Sequence, residues 1–311
     1  MQWRTYLQRS DDDLATMDVG VINLLFALGL PGSERIDLFG CIRCLDTWAD
    51  NIGDITRKLL DTEFGTAPEK YDFSEPLFRM VKMIHFLQRS CGVLYNEQRI
   101  VAASTTPEKA EDLFIFGAIQ GPGGGCGSLP VLYAAVGRRL GYPIRIVTAR
   151  QHVFCRWDDP ATGIKVNIEG TNHSGVSTYT DDHYRTYPQG ISREQEHAFG
   201  DLASLTPRRE LALFLGFRGD VLRSIGNYAE AIECYAEAAE LEPNYLRYPG
   251  LVYLTARKWW RTLFDQGRVG SSFEGFLSSS TARRWPSMPL RLEKAIDALR
   301  TCGNGTETNG L

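Results

Sequence analysis

The fold is encoded most clearly by residues 121–170, which read GPGGGCGSLPVLYAAVGRRLGYPIRIVTARQHVFCRWDDPATGIKVNIEG. A glycine-dense loop at 121–130 leads into the apolar-periodic stretch Leu132–Leu140, which predicts a helix ended by Gly141-Tyr142-Pro143. Three runs rich in β-branched and aromatic residues follow: Ile144–Thr148, His152–Trp157 and Ile164–Glu169. Because the turn at 158–163 is too short for a crossover helix, the last two runs must be antiparallel neighbours. The sequence therefore predicts an α+β core.

Helical patterns flank this core on both sides. On the N-terminal side, Asp11, Asp12 and Asp13 favour a helix start before the apolar run Val19–Leu30, and Ser74-Glu75-Pro76 reads as a cap followed by a first-turn proline. The predicted organisation is a helical region at 1–117, a core at 118–200, a second helical region at 201–300 and a disordered tail at 301–311.

The second helical region contains one candidate repeat. Between Ala212 and Tyr245 small and aromatic residues follow the 34-residue spacing of a tetratricopeptide repeat, at Gly219, Gly226, Tyr228, Ala231, Tyr235, Ala238 and Pro243. Small residues let two antiparallel helices approach, and the aromatics fill the space between them. A single repeat cannot bury both of its faces, so we expect it to pack against the core and the helices predicted at 247–264 and 288–300.

Composition excludes several classes of protein. The chain has 311 residues, of which 43% are hydrophobic and 23% charged, and this is the mix of a globular protein with one large or two modest domains. A net charge of −4 disfavours a nucleic-acid binder. The sequence shows neither a signal peptide nor an apolar run long enough to span a membrane. Seven scattered cysteines do not resemble a disulfide framework, so we expect a reduced, cytoplasmic protein without membrane contact.

Cys126 is the candidate nucleophile. It follows Gly123, Gly124 and Gly125 and lies where the predicted helix begins. Glycines let the backbone turn tightly and let a substrate approach closely. The N-terminus of a helix presents unpaired N–H groups and a partial positive charge, which stabilise a thiolate and can hold the oxyanion of an acyl-transfer intermediate.

His152, which begins the second predicted strand, is the candidate general base and acid. In a strand, His152, Phe154 and Arg156 share one face, whereas Cys155 points to the other face and is expected in the core. The next strand carries Asn167 and Glu169 on one face, and either residue could orient the His152 ring. A cysteine at a helix start facing such a histidine is the arrangement used in nucleophilic thiol catalysis.

The order of these residues resembles the transglutaminase-like superfamily. The resemblance rests on the glycine-flanked Cys126, the segment Leu140-Gly141-Tyr142-Pro143-Ile144-Arg145, the His152-led aromatic strand and a polar residue on the next strand, within residues 118–172. The flanking helices and the repeat resemble the bacterial subgroup with a tetratricopeptide segment. The resemblance implies a papain-like fold and a Cys-His-acid triad, which forms a thioester with a carboxamide and passes the acyl group to an amine or to water.

In one position the sequence departs from the family. Where the family has an aspartate, the spacing places Asn167, which can orient an imidazole but gives less charge stabilisation. Glu169 would supply a carboxylate if the strand register differed, and on spacing we rank Asn167 first. Gln120 lies six residues before Cys126, a spacing at which papain-like proteases carry an oxyanion-hole glutamine.

The sequence therefore predicts a thiol enzyme that acts on a protein or peptide amide through Cys126, His152 and Asn167 or Glu169. It predicts no cofactor and no metal, because Cys41 and Cys44 have metal-ligand spacing but lie in an apolar helical pattern without a second pair. A cysteine peptidase on the same residues is one alternative. A non-catalytic scaffold, which binds a protein partner through the repeat, is the other.

Overall fold

The loop, helix and strands expected between residues 121 and 170 are present in a computed structural model, which describes residues 2–96, 109–172, 175–277, 279, 282 and 291–297. The helices are α1 Asp11–Ala15, α2 Val19–Ala27, α3 Leu38–Leu59, α4 Glu75–Ser90, α5 Ala110–Leu113, α6 Phe116–Gln120, α7 Leu129–Arg139, α8 Asp181–Thr186, α9 Arg193–Phe199, α10 Pro207–Ser224, α11 Tyr228–Leu241, α12 Arg247–Asp265, α13 Phe273–Leu277 and α14 291–297. Short 3₁₀ segments lie at Gln2–Gln8 and Pro68–Tyr71, and a π-helical turn at Leu60–Phe64 extends α3. The strands are β1 Ile144–Ala149, β2 His152–Asp159, β3 Ile164–Asn172 and β4 Gly175–Ser177.

Side-chain caps fix the starts of the helices that were expected from sequence. The Ser74 hydroxyl accepts a hydrogen bond from Leu77 N at 3.2 Å and begins α4. The N-terminal acidic run behaves differently from the expectation, because Asp11–Ala15 forms only a short helix. Asp18 then accepts from Val21 N at 3.0 Å and starts α2 as a separate helix, since a capping carboxylate holds the chain in a non-helical conformation at that point.

The four strands form one antiparallel sheet in the order β1-β2-β3-β4. In the register of β2 and β3, Cys155 lies opposite Ile168 and Arg156 opposite Asn167. The outer edge of β1 is covered by residues 202–205, where Leu202 N donates to Thr148 O at 2.8 Å and Leu205 N donates to Ile146 O at 2.9 Å. The protein is thus a mixture of helices and a small antiparallel sheet, as expected for an α+β core.

A large apolar core runs through the N-terminal helices, α7, the sheet and α10–α12, and a second, smaller cluster is formed by Val147, Ala149, Phe154, Tyr184 and Leu202. Phe26, Val136 and Phe214, one from each of the three predicted regions, are all completely buried within the large core. The division of the chain at 117/118 and 200/201 stays a prediction, and the core crosses both limits. The tail expected at 301–311 lies outside the described residues.

A buried ion pair joins α7 to the C-terminal helical region. The Arg138 guanidinium donates to both carboxylate oxygens of Glu210, at 3.0 and 2.5 Å, and its Nε donates to Ile144 O at 2.9 Å. The side chain of Glu210 is only 6% exposed, so the carboxylate depends on Arg138 for compensation of its charge. The helix that follows Cys126 is therefore tied directly to α10.

We predict that Arg138→Met will lower the free energy of unfolding by about 3 kcal/mol, because it leaves the Glu210 carboxylate buried without its partner. Urea unfolding followed by circular dichroism measures the change. The matched control is Arg57→Met, which breaks the exposed pair of Arg57 and Asp54 (3.0 Å) and should cost less than about 1 kcal/mol. Equal decreases in the free energy of unfolding in the two variants would contradict the larger contribution of the buried pair to stability.

Candidate active site

The glycine loop before Cys126 is held by main-chain pairing with residues 94–96. Gly124 N donates to Leu94 O and Asn96 N donates to Gly124 O, each at 2.9 Å. Gly123 has φ of +122°, and a Cβ at Gly124 would lie 2.7 Å from Ser128 Oγ. Both positions therefore require glycine, the first for its backbone angle and the second for the close approach of a side chain.

Cys126 lies in the first helical turn, because Gly125 O already accepts a hydrogen bond from Leu129 N at 3.0 Å. The Ser128 hydroxyl accepts from Gly125 N at 2.9 Å and donates to Asp112 O at 3.0 Å, which fixes the turn to the N-terminal helices. Within the described part of the chain, the backbone N–H groups of Cys126 and Gly127 have no hydrogen-bond acceptor. Cys126 as a residue is partly exposed.

His152 begins β2 directly after Gln151, a residue with φ of +59° that turns the chain out of β1. Its Nε2 lies 2.6 Å from Glu169 Oε2 on the neighbouring strand. The side chains of His152 and Glu169 are 10% and 6% exposed, so the pair is shielded from solvent. The Cys126 thiol lies close enough to the ring to raise the pKa of His152. The structure thus brings Cys126, His152 and Glu169 together.

Asn167 does not orient His152, so its ranking ahead of Glu169 was wrong. The sheet register places it opposite Arg156, four residues beyond His152 on β2. Its Oδ1 accepts from Arg156 Nε at 2.6 Å, and its Nδ2 donates to Asp181 Oδ1 at 2.7 Å. Glu169 lies two residues closer to the His152 end of the same face of β3, and spacing alone could not fix that register.

The Glu169 carboxylate is fully engaged by hydrogen-bond donors. Oε2 accepts from His152 and, at 3.3 Å, from the Tyr184 hydroxyl, whereas Oε1 accepts from Thr171 N at 2.9 Å and from the Thr171 hydroxyl. Sequence reasoning missed Tyr184 and Thr171. Thr171 could have been found from the sequence, because it lies two residues after Glu169 and therefore on the same face of the strand.

The pair holds opposite charges. Burial of the His152 ring lowers its pKa, but the nearby Cys126 thiol and the hydrogen bond and negative charge of Glu169 outweigh burial and raise the pKa to about 9. Burial raises the pKa of Glu169, yet the hydrogen bond and charge of His152 and the bonds from Thr171 bring it below its usual value. At neutral pH His152 is therefore an imidazolium and Glu169 a carboxylate.

Close packing of α7 on the sheet sets the distance between the thiol and this pair. The Tyr133 hydroxyl donates to Gly170 O at 3.0 Å, and a Cβ at Gly170 would lie 2.5 Å from the Tyr133 ring. On the opposite face of β2 from His152, the Cys155 thiol donates to Pro130 O at 2.9 Å and is 1% exposed. Its place in the core, expected from the strand alternation, is confirmed.

The remaining sequence candidates are placed elsewhere. Gln120 Oε1 accepts from Asp37 N at 3.2 Å, which engages this side chain at the start of α3. Cys41 is buried within α3, and burial, followed by the nearby Cys44, raises its pKa to about 12. Among the described residues, no group of three or more His, Cys, Asp or Glu side chains is arranged to hold a metal ion. No described helix is long and apolar enough to cross a bilayer.

The helices α10 and α11 pack antiparallel, and the small residues lie where they touch. A Cβ at Gly219 would lie 2.4 Å from the Tyr235 ring, and Gly226 turns the chain between the helices with φ of +80°. In comparison with known families, residues 212–245 match the tetratricopeptide repeat. These residues are a tetratricopeptide repeat. No curated protein and no solved structure matches the chain, and the comparisons do not support the transglutaminase-like resemblance.

The first helix of the tetratricopeptide repeat is covered by the N-terminal helices. Arg218 is 4% exposed, and its Nη1 donates to Phe26 O and, at 3.0 Å, to Leu28 O at the C-terminal end of α2. The Trp3 ring lies on the same guanidinium, 4.7 Å from centroid to Cζ. The second helix packs against α12, and Arg291 of α14 pairs with Glu233 at 2.7 Å. Of the expected neighbours, the helix at 247–264 and the described residues 291–297 contact the repeat, whereas the cover of its first helix by the N-terminal helices was not expected.

We predict that Glu169→Gln will lower the His152 pKa from about 9 toward 6.5, because it removes the negative charge beside Nε2 and keeps the side-chain shape. Asn167→Ala should leave the His152 titration in place. The measurement is a pH titration of the ring signals by NMR, with His152 assigned from a His152→Gln sample; the chain has only five histidines. An equal change in both variants would contradict the assignment of Glu169.

The same pKa shift makes stability depend on pH. Because the folded pKa of about 9 exceeds the ordinary 6.5, the stabilisation from His152 is complete below pH 6.5 and is lost as the pH rises through 9. We expect the free energy of unfolding to fall more between pH 6 and pH 10 in the wild type than in His152→Gln. Urea titrations at both pH values give this difference, and parallel losses would rule out a stabilising imidazolium.

Proposed function

We propose that the protein is a thiol enzyme of transglutaminase-like, papain-like type that attacks an amide of a protein or peptide through Cys126. The observation that supports this function is the His152 ring, held between the Cys126 thiol and the buried Glu169 carboxylate. A structural histidine needs only one satisfied partner. Here a nucleophile lies on one side of the ring and a fixed carboxylate on the other, which is the arrangement of nucleophile, base and orienting group.

The first half-reaction forms a thioester. Because Nε2 is engaged with Glu169, Nδ1 of His152 is the nitrogen that holds the proton given up by the Cys126 thiol, so the reaction starts from a thiolate beside an imidazolium. The thiolate adds to the amide carbon, and the oxyanion lies at the free N–H groups of Cys126 and Gly127 at the N-terminal end of α7. His152 then gives its proton to the leaving nitrogen, the C–N bond breaks and the acyl group remains on sulfur.

The second half-reaction transfers the acyl group. An amine or a water molecule loses a proton to His152 and attacks the thioester carbon, and the C–S bond breaks as the proton returns to sulfur. An amine acceptor gives transamidation; water gives deamidation of a side-chain amide or cleavage of a peptide bond. No cofactor or metal enters this sequence. We assign the protein to a reducing compartment such as the cytoplasm, which agrees with six described cysteines that are all free thiols.

We predict that iodoacetamide will modify Cys126 faster than Cys44 and Cys91, the other partly exposed cysteines among the described residues, at neutral pH. His152→Gln should slow the modification of Cys126 by roughly tenfold or more, because the imidazolium no longer stabilises the thiolate. Peptide mass spectrometry after timed quenching gives each rate, and Cys44 serves as the internal control. Equal rates at the three thiols would contradict an activated nucleophile.

The reaction class is tested with a glutamine-containing peptide and a primary amine. Replacement of the amide NH₂ by the amine identifies transamidation, replacement by OH identifies deamidation, and a cleaved backbone identifies a peptidase. Each product should disappear in Cys126→Ala and in His152→Gln. Product formation that persists in Cys126→Ala would exclude the proposed chemistry.

A second function, protein binding through the tetratricopeptide repeat, is supported by the family match to residues 212–245. Because the N-terminal helices cover α10, a partner would contact outward residues of the C-terminal helices, such as the exposed Lys258 and Arg261 on α12. Cellular activity that survives Cys126→Ala and is lost in Lys258→Glu/Arg261→Glu would favour this scaffold over the enzyme. The reverse pattern would favour the enzyme.

A further inference from the structure

We infer that Tyr184 is a positioning residue that holds Glu169 and His152 in their working geometry and moderates the charge that the carboxylate presents to the ring. The inference rests on the proposed function, because it concerns the same site. Tyr184 touches neither the thiol nor the reacting atoms in this arrangement, so it acts through its two neighbours.

Tyr184 contacts both members of the charged pair. Its hydroxyl donates to Glu169 Oε2 at 3.3 Å, the same oxygen that His152 Nε2 meets at 2.6 Å. Its ring lies nearly parallel to the His152 ring, with 5.9 Å between centroids and 18° between planes, and it stacks on Phe154. The side chain is 1% exposed. One residue therefore restrains the position of the carboxylate and the tilt of the imidazole.

The shared oxygen gives this contact an electrostatic consequence. A donor on Oε2 draws negative charge toward itself, so the hydroxyl of Tyr184 reduces the charge available to His152. Burial, together with the Glu169 charge, raises the pKa of Tyr184, so the phenol stays protonated and keeps donating at alkaline pH. Among the residues that the structure describes, the titratable groups that face His152 are Cys126 from the glycine loop, Glu169 from β3 and Tyr184 from α8.

The helix that carries Tyr184 is anchored to the sheet by a separate polar network. Arg156 Nη2 pairs with Asp181 Oδ1 at 2.6 Å, at the first residue of α8, and its Nη1 donates to Leu202 O at 3.0 Å. Asn167 Nδ2 donates to Tyr179 O at 2.9 Å and also reaches Asp181. Asn167 thus helps to fix the start of α8.

A tyrosine that only filled space would affect stability and nothing else. A positioning tyrosine also changes the titration of His152, because its hydroxyl and the imidazole share one carboxylate oxygen. Tyr184→Phe separates these roles, since it keeps the ring and its stacking and removes only the hydroxyl. Tyr179→Phe is the matched control: its ring packs edge-on against Tyr184 with centroids 6.2 Å apart, and the described structure shows no hydrogen bond from it to Glu169.

In Tyr184→Phe we expect the His152 midpoint, followed by NMR, to rise by about 0.5 pH unit, because the carboxylate charge is no longer shared. The rate of Cys126 alkylation, plotted against pH, should show its alkaline transition at a higher pH as well. Turnover of the glutamine-containing peptide should fall severalfold in kcat with little change in KM, since the ring and carboxylate lose a restraint without a change in the substrate-binding surface. Tyr179→Phe should reproduce none of these changes.

An unchanged or lowered midpoint in Tyr184→Phe, with wild-type Cys126 still alkylated selectively, would overturn the positioning role and leave the proposed function standing. Loss of that selectivity in the wild type would overturn the proposed function itself. Thermal unfolding of both variants checks the fold. A titration shift of the same size in Tyr179→Phe would also overturn the inference, because it would assign the effect to the aromatic packing and not to the shared oxygen.

Discussion

A buried carboxylate has to be paired and hydrogen-bonded, and the architecture around Glu169 follows from that requirement. Its donors come from β2, β3 and α8, so these three elements have only one mutual arrangement that satisfies the group. The same requirement keeps His152 charged and turned toward the start of α7. Cys126 reaches this pair because Gly170 leaves room for Tyr133, which brings α7 close to β3. The contact of His152 with Glu169 and the packing of Tyr133 on Gly170 thus determine the electrostatics around Cys126.

The tetratricopeptide repeat in this chain is part of the body of the protein. Arg218 closes the C-terminal end of α2, and Glu210 neutralises Arg138 at the far end of the helix that begins beside Cys126. A repeat used as a free binding module would leave its first helix open to a ligand, whereas here the chain itself occupies that helix. The repeat therefore stabilises the position of α7, the helix that follows Cys126. Only the outward surface of the repeat is left for binding a partner.

Sequence reasoning reached the elements of the core because each had a local cause. Glycines, a helical apolar period and β-branched runs predicted the loop, α7 and three strands, and the proline-bearing cap at Ser74 predicted the start of α4. It selected Cys126 and His152 from their places at element starts. It could not choose between Asn167 and Glu169, because both share a face and only the pairing of β2 with β3 separates them. Tyr184 was out of reach, since its contacts are purely tertiary.

The segment 202–205 seals the open side of β1 and runs straight into Thr206, whose hydroxyl caps α10. An uncovered strand edge invites pairing with other chains, so this short stretch protects the protein from intermolecular β-sheet growth. It also sets the point at which the repeat begins. An extra residue between the sheet and α10 would either break the hydrogen bonds of segment 202–205 to β1 or displace the Thr206 cap. Insertions at this connection should therefore be rare among homologues.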